Sequence, residues 1–112
     1  ISSCEDIQFT IYGQDQHYDW HMDSNDSSYQ QGKFKGLIRK ISASILLNDN
    51  FEGGDFLFNF RNEEDPNIIS TVRGKNAGTA IVFPSHIRHK VTPVSKGTRY
   101  SLVCWSLGKP FK

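Results

Sequence analysis

Short runs of aromatic, Ile, Val, Ser and Thr residues, cut at regular intervals by turn formers, leave no convincing helix in this sequence and confine it to an all-β fold. The runs predict about eight strands, near residues 7–12, 18–23, 37–47, 55–60, 68–72, 79–83, 88–94 and 99–107. The connections hold Gly13, the Asn48-Asp49-Asn50 turn with Gly53-Gly54, Asp65-Pro66, Gly74, Gly78, Pro84 and the 95–97 turn ending in Gly97. Many short strands with such turns imply a sandwich or barrel, architectures that leave few open sheet edges.

A length of 112 residues supports one compact domain and no second one. Thirteen basic against twelve acidic residues give a net charge of +1, with no basic run longer than two, so neither nucleic acid nor an anionic membrane is expected as partner. The uncharged apolar stretches, such as 80–83 and 45–47, are too short to span a bilayer. Cys4 and Cys104 lie far apart without metal-finger spacing and read first as two reduced thiols of a soluble, cytoplasmic protein, with a single structural disulfide as the alternative and the compartment left open. The polar segment 24–36 comes directly after the second strand and reads as a mobile loop, either a solvated connection or a lid over that strand end. The segment 61–66 reads as an ordinary solvated connection.

Chemistry enters with His21-Met22-Asp23. On a strand, residues two apart share a face, so one imidazole and one carboxylate can hold a common cation. Alone the triplet carries little, because His–Asp pairs are common on surfaces. A third ligand is available in His86 or His89, which face opposite ways on an extended segment, so at most one joins. His89 is favoured by its C-terminal neighbours: a strand, a turn with Pro93 and Gly97, and a strand opening with Arg99. Strands joined in this way are expected to be antiparallel neighbours, with His89 and Arg99 pointing into one cavity. Two His and one carboxylate with open coordination positions form the pattern of non-haem Fe(II) oxygenases; a structural zinc site would close with a fourth ligand, and no suitable one appears.

Arg99 opens an otherwise apolar strand, and alternation puts it on one face with Ser101, Val103 and Trp105. If that face is interior, the guanidinium needs an anion, and a dicarboxylate would suit its fork. At a solvent-exposed strand start, an Asp or Glu partner would serve instead.

Taken together, Tyr18-x-Trp20-His21-x-Asp23, the run from Arg39 to Asn48, Phe51-Glu52-Gly53-Gly54-Asp55, Phe83-Pro84-Ser85 and His89-x-Val91-Thr92-Pro93-Val94-x-x-Gly97-x-Arg99-Tyr100 resemble the Fe(II)- and 2-oxoglutarate-dependent dioxygenases of the prolyl 4-hydroxylase type. In pattern they are most like the PKHD-type hydroxylases of bacteria and phage. The likeness runs from about residue 7 to 107 with the motifs in order, which is far more specific than any one triplet. It implies a double-stranded β-helix, a cupin-like jelly roll of two facing sheets, with the site at its open end between the second, seventh and eighth strands. Ser42, Ser44, Leu46, Phe56, Phe58, Val91, Val103 and Trp105 are expected to face inward. Relatives carry extra helices before the barrel, so this chain is expected to be a minimal or shortened version.

The resemblance further implies that His21, Asp23 and His89 ligate iron and that Arg99 binds the distal carboxylate of 2-oxoglutarate; collagen-type enzymes have Lys at that place. Tyr12 resembles a tyrosine that reaches the cosubstrate or prime substrate, Ser101 adds a hydrogen bond, and Tyr18 and Trp105 line the substrate pocket. Leu46 stands where some relatives place a second tyrosine on the distal carboxylate. His17 and His86 match no ligand. The implied reaction consumes Fe(II)-bound 2-oxoglutarate and O2, hydroxylates an unactivated C–H bond and yields succinate and CO2, with ascorbate as reductant. A prolyl residue in a peptide or protein is the natural substrate, with a free amino acid or another small molecule left open. Two rivals share the barrel: a cupin-like metal enzyme, which would not need Arg99, and a non-catalytic binding module, against which the intact ligand set argues. A halogenating relative would need the place that Asp23 fills.

Overall fold

The computed structural model describes residues 3–24, 28, 30, 32–59, 69–71 and 76–109. Among them lie eleven strands: β1 (Ser3–Cys4), β2 (Gln8–Tyr12), β3 (Tyr18–His21), β4 (Ile38–Leu46), β5 (Glu52–Gly53), β6 (Phe56–Asn59), β7 (Ile69–Thr71), β8 (Ala80–Pro84), β9 (Arg88–Val91), β10 (Val94–Lys96) and β11 (Arg99–Gly108). None of these residues is helical, so no described helix could cross a membrane. All eight expected strands are present. The 61–66 connection, most of the 24–31 stretch, and the expected strand ends at residues 60, 68 and 72 lie outside the described residues.

Every strand pair is antiparallel. The larger sheet runs β1-β11-β4-β8, with β2 also paired to β11; a second sheet runs β3-β9-β6-β7, and β10 pairs with β5. The period-2 alternation of β4 and β11 fixes the inner face. Ser42, Ser44 and Leu46 are buried on β4, and Arg99 and Ser101 on β11, while Val103 and Trp105 are half-buried and line a cavity. From the facing sheet Phe56, Phe58 and Val91 meet Phe83 of β8 in one cluster, with Tyr12, Ile81 and Ile87 packed around it. Burying an aromatic side chain of this size contributes about 1.5–3 kcal/mol. The inward set expected from alternation is therefore the observed one. The outer face of the larger sheet is apolar as well: Phe9, Ile11, Tyr100 and Val82 are exposed, and Phe9 stacks on Tyr100. Antiparallel sheets with one wet face more often show polar residues there.

Three short strands escape the sequence pattern: β1, β5 and β10. The expected 88–94 strand breaks after Val91, because Pro93 offers no N–H to a ladder and the chain changes partners at that corner. β9 pairs with β3 and β6, whereas β10 pairs with β5. Gly53 and Gly54 make the other side of the corner at φ of 76° and 59°. A Cβ on Gly53 would press into the carbonyl of Pro93, and one on Gly54 would lie 3.0 Å from Cδ of Arg99.

This corner corrects one expectation. β9 and β11 are not hydrogen-bonded neighbours: β11 pairs with β1, β2 and β4 in the other sheet. His89 and Arg99 do reach one cavity, from opposite walls of the sandwich rather than as neighbouring strands of one sheet.

Candidate metal and cosubstrate site

His21 ends β3 directly opposite His89 of β9. The Nδ1 of His21 lies 2.7 Å from the carbonyl oxygen of Asp19, and that of His89 lies 2.9 Å from the carbonyl of Ile87. A carbonyl only accepts, so each ring donates from Nδ1, which leaves Nε2 as the atom that faces the cavity and could ligate a metal. Both Nε2 atoms converge on Oδ1 of Asp23, at 3.2 and 3.3 Å. Asp23 sits just beyond the end of β3, where its N–H donates to the carbonyl of Ser85 at 2.9 Å. The three donor atoms lie within 4.8 Å of one another and could hold a metal ion; among the described residues no other His, Cys, Asp or Glu joins them. His17 and His86 are exposed and stand apart.

Aromatic rings hold the two imidazoles in place. His89 is buried between Phe56, stacked at 5.4 Å with an interplanar angle of 4°, and Phe83, edge-on at 4.7 Å. Tyr18 stacks on His21 at 3.7 Å while remaining half-exposed at the rim of the cavity. Oδ2 of Asp23 accepts hydrogen bonds from Oγ of Ser42 at 2.6 Å and Nε1 of Trp105 at 3.1 Å. Burial alone would raise the Asp23 pKa, but hydrogen bonds from His21, His89 and Ser42 outweigh it and hold the carboxyl well below its usual range.

A folded-state pKa below the unfolded value contributes stability above about pH 4 and loses it as pH falls through the folded value. Metal-free protein is therefore expected to lose thermal stability more steeply below about pH 4 than its Asp23→Asn variant. Melting curves between neutral and acid pH read the difference, and parallel curves would contradict it.

The cavity, about 260 Å³, extends from these three residues to Arg99, Ser101, Tyr12 and Thr10. Arg99 is 4% exposed and faces Tyr12 across the β2–β11 ladder. Burial pulls its pKa down and the nearby Tyr12 hydroxyl counters this; the same burial pushes Tyr12 up. Its Nη1 donates to Oγ of Ser101 at 3.3 Å, but its Nε is buried without a hydrogen-bond partner, as is Oγ1 of Thr10. Among the described residues no carboxylate pairs with Arg99. An unpaired buried guanidinium is costly, and a carboxylate entering the cavity would satisfy it. The donor set thus fits both groups: imidazole and carboxylate for a divalent iron, and an orphaned cation for a diacid.

Every site residue singled out from the sequence, His21, Asp23, His89, Arg99, Tyr12, Ser101, Tyr18 and Trp105, lines this one cavity. The sequence pattern assigns no site role to Thr10, Phe56 and Phe83, which line the cavity, or to Ser42 and Ser85, which stand behind Asp23. The usable signal was Ser42 itself, since a serine on an inward strand position must find a hydrogen-bond partner.

A family model for the 2OG-Fe(II) oxygenase superfamily matches residues 7–107. The chain belongs to that superfamily. It is 30% identical over 105 residues to a PKHD-type hydroxylase of Alteromonas mediterranea, covering 87% of this chain and 41% of that protein. The chain thus spans about two fifths of the length of the curated relatives it matches. Its fold is that of a Pseudomonas putida prolyl-4-hydroxylase, with a TM-score of 0.68 at 24% identity over 95% of this chain and 52% of that one. It is equally that of a Trichoplax adhaerens prolyl hydroxylase in complex with a hypoxia inducible factor peptide fragment, with a TM-score of 0.66 at 18% identity over 93% of this chain and 44% of that one. The 2OG-Fe(II) oxygenase family implies Fe(II), 2-oxoglutarate and O2. Both Cys4 and Cys104 are free thiols.

Proposed function

We propose that this chain is the iron- and 2-oxoglutarate-binding core of a cytoplasmic dioxygenase that hydroxylates an unactivated C–H bond, with a prolyl residue of a peptide or protein as prime substrate. His21, Asp23 and His89 would hold iron, Arg99 the distal carboxylate of 2-oxoglutarate, with Ser101 and Tyr12 beside it. The observation that carries this reading is the convergence of both Nε2 atoms on Asp23 Oδ1 in the same cavity as a buried, acid-free Arg99. With iron and 2-oxoglutarate bound, O2 oxidises the C–H bond to C–OH while the keto-diacid ends as succinate and CO2. Ascorbate is the proposed accessory that keeps iron ferrous.

What the protein itself supplies is position. Imidazoles fixed through Nδ1 would present Nε2 to iron without rotating, and a set of only three protein ligands would leave room on the metal for small molecules. The phenylalanines behind His89 keep water from that wall of the cavity. Tyr18 and Met22, exposed at the rim, and Trp105 deeper in offer apolar surface suited to a pyrrolidine ring, and the resemblance to prolyl hydroxylases supports that choice.

Anaerobic titration with Fe(II) and 2-oxoglutarate is expected to give a weak visible metal-to-ligand charge-transfer band, and proline-containing peptides are then expected to gain the mass of one oxygen atom on admitting air. Iron loading without the band would overturn the 2-oxoglutarate assignment. A band and succinate formation without peptide oxidation would move the substrate from peptidyl proline to a small molecule.

A further inference from the structure

We infer that Ser42 and Trp105 are positioning residues that fix the Asp23 carboxylate as a one-oxygen metal ligand, an inference that rests on the metal reading proposed above. A carboxylate free to turn can offer a cation both oxygens and so occupy two of its coordination positions. Here Oδ2 is taken by two donors, Ser42 Oγ at 2.6 Å and Trp105 Nε1 at 3.1 Å, and only Oδ1 faces the imidazoles. Ser42 and Trp105 are partners on one rung of the β4–β11 ladder, so both donors are set by the same stretch of rigid sheet.

Each donor is itself held. Ser42 has one hydroxyl proton and gives it to Asp23, so in the 2.8 Å contact between Ser42 and Ser85 the Ser85 hydroxyl must be the donor. Ser42 is 1% exposed and Ser85 0%. The Ser85 backbone closes the loop: its N–H donates to the carbonyl of Lys40 at 2.9 Å, and its carbonyl accepts from the N–H groups of Asp23 and Ser24. On the other side, the Trp105 ring lies 3.8 Å under the Arg39 guanidinium, which forks onto Glu5 at 2.7 and 3.2 Å. A buried network in which each member is satisfied keeps one geometry. In this one the free oxygen of Asp23 points at the metal position.

The test uses Co(II) as probe on the unsubstituted chain and on Ser42→Ala, Ser42→Thr and Trp105→Phe, reading affinity by chelator competition and geometry from the visible ligand-field bands. Ser42→Ala and Trp105→Phe are expected to bind Co(II) about 10–100-fold more weakly with altered bands, the size of effect typical of groups that orient a ligand. Ser42→Thr keeps the hydroxyl and is expected to restore both. Ser42→Ala binding within about twofold of the unsubstituted chain with identical bands, or Ser42→Thr as weak as Ser42→Ala, would overturn the inference. The Ser42 pair decides alone if Trp105→Phe does not fold. An unsubstituted chain that binds no Co(II) would instead sink the metal reading and this inference with it, and that failure shows before any variant is made.

Discussion

Asp23→Asn is expected to abolish tight Fe(II) or Co(II) binding, weakening it by more than about 100-fold, and to leave 2-oxoglutarate decarboxylation at background. The figure is a lower bound, because substitutions of groups that only support a ligand already reach it, whereas Asp23 supplies the sole oxygen donor of the cluster. The asparagine keeps the shape of the side chain. Ser42 and Trp105 both donate toward the Oδ2 position, so the amide turns its carbonyl oxygen to them and its NH2 toward the imidazoles. An amide nitrogen has no lone pair to give a metal. Asp23→Asn should therefore fold, bind metal poorly and do both for one reason. Asp23→Ala removes the acceptor from two donors and is expected to lose stability as well, by about 1–3 kcal/mol. Near-normal metal affinity in the asparagine variant would mean that this cluster is not the metal site.

How much of this was legible in the sequence depended on how local the determining physics was. Alternation along β4, β9 and β11 is set within each strand, and it placed Ser42, Ser44, His89, Arg99 and Ser101 on the inner face. Pairing between strands is not local. The step from His89 to Arg99 looked like a hairpin because both strands and a turn with Pro93 and Gly97 were visible, yet the chain turns a corner there and enters the other sheet. Pro93 and the Gly53-Gly54 pair were the markers of that corner. They became readable as such only once their contact was known. The strands that were missed are two or three residues long, too short to show a period. The bond from Ser42 to Asp23 was hidden for a related reason, since it joins a residue of β4 to one just past β3 through side chains that no strand periodicity relates.

Arg99→Ala should have the complementary phenotype: metal binding within a few-fold of the unsubstituted chain, and a requirement for 2-oxoglutarate raised by about 100-fold or more. A hydrogen bond to a charged group contributes about 1.5–3 kcal/mol, and a guanidinium fork on a carboxylate makes two of them. Arg99→Lys keeps the charge but not the fork, so it is expected to fall between the two. Stability should not fall as it does in Asp23→Ala. In the unliganded chain the Arg99 Nε is buried with no partner, so its removal relieves a desolvation penalty that offsets the cavity left behind. The melting point of Arg99→Ala without cosubstrate is thus expected to change little, while the stabilisation that 2-oxoglutarate confers on the iron-loaded chain is lost. This contrast separates the proposed dioxygenase from a cupin-like metal enzyme on the same barrel. In a cupin-like enzyme Arg99 would be a structural cation, and its loss would lower the melting point without touching any response to 2-oxoglutarate.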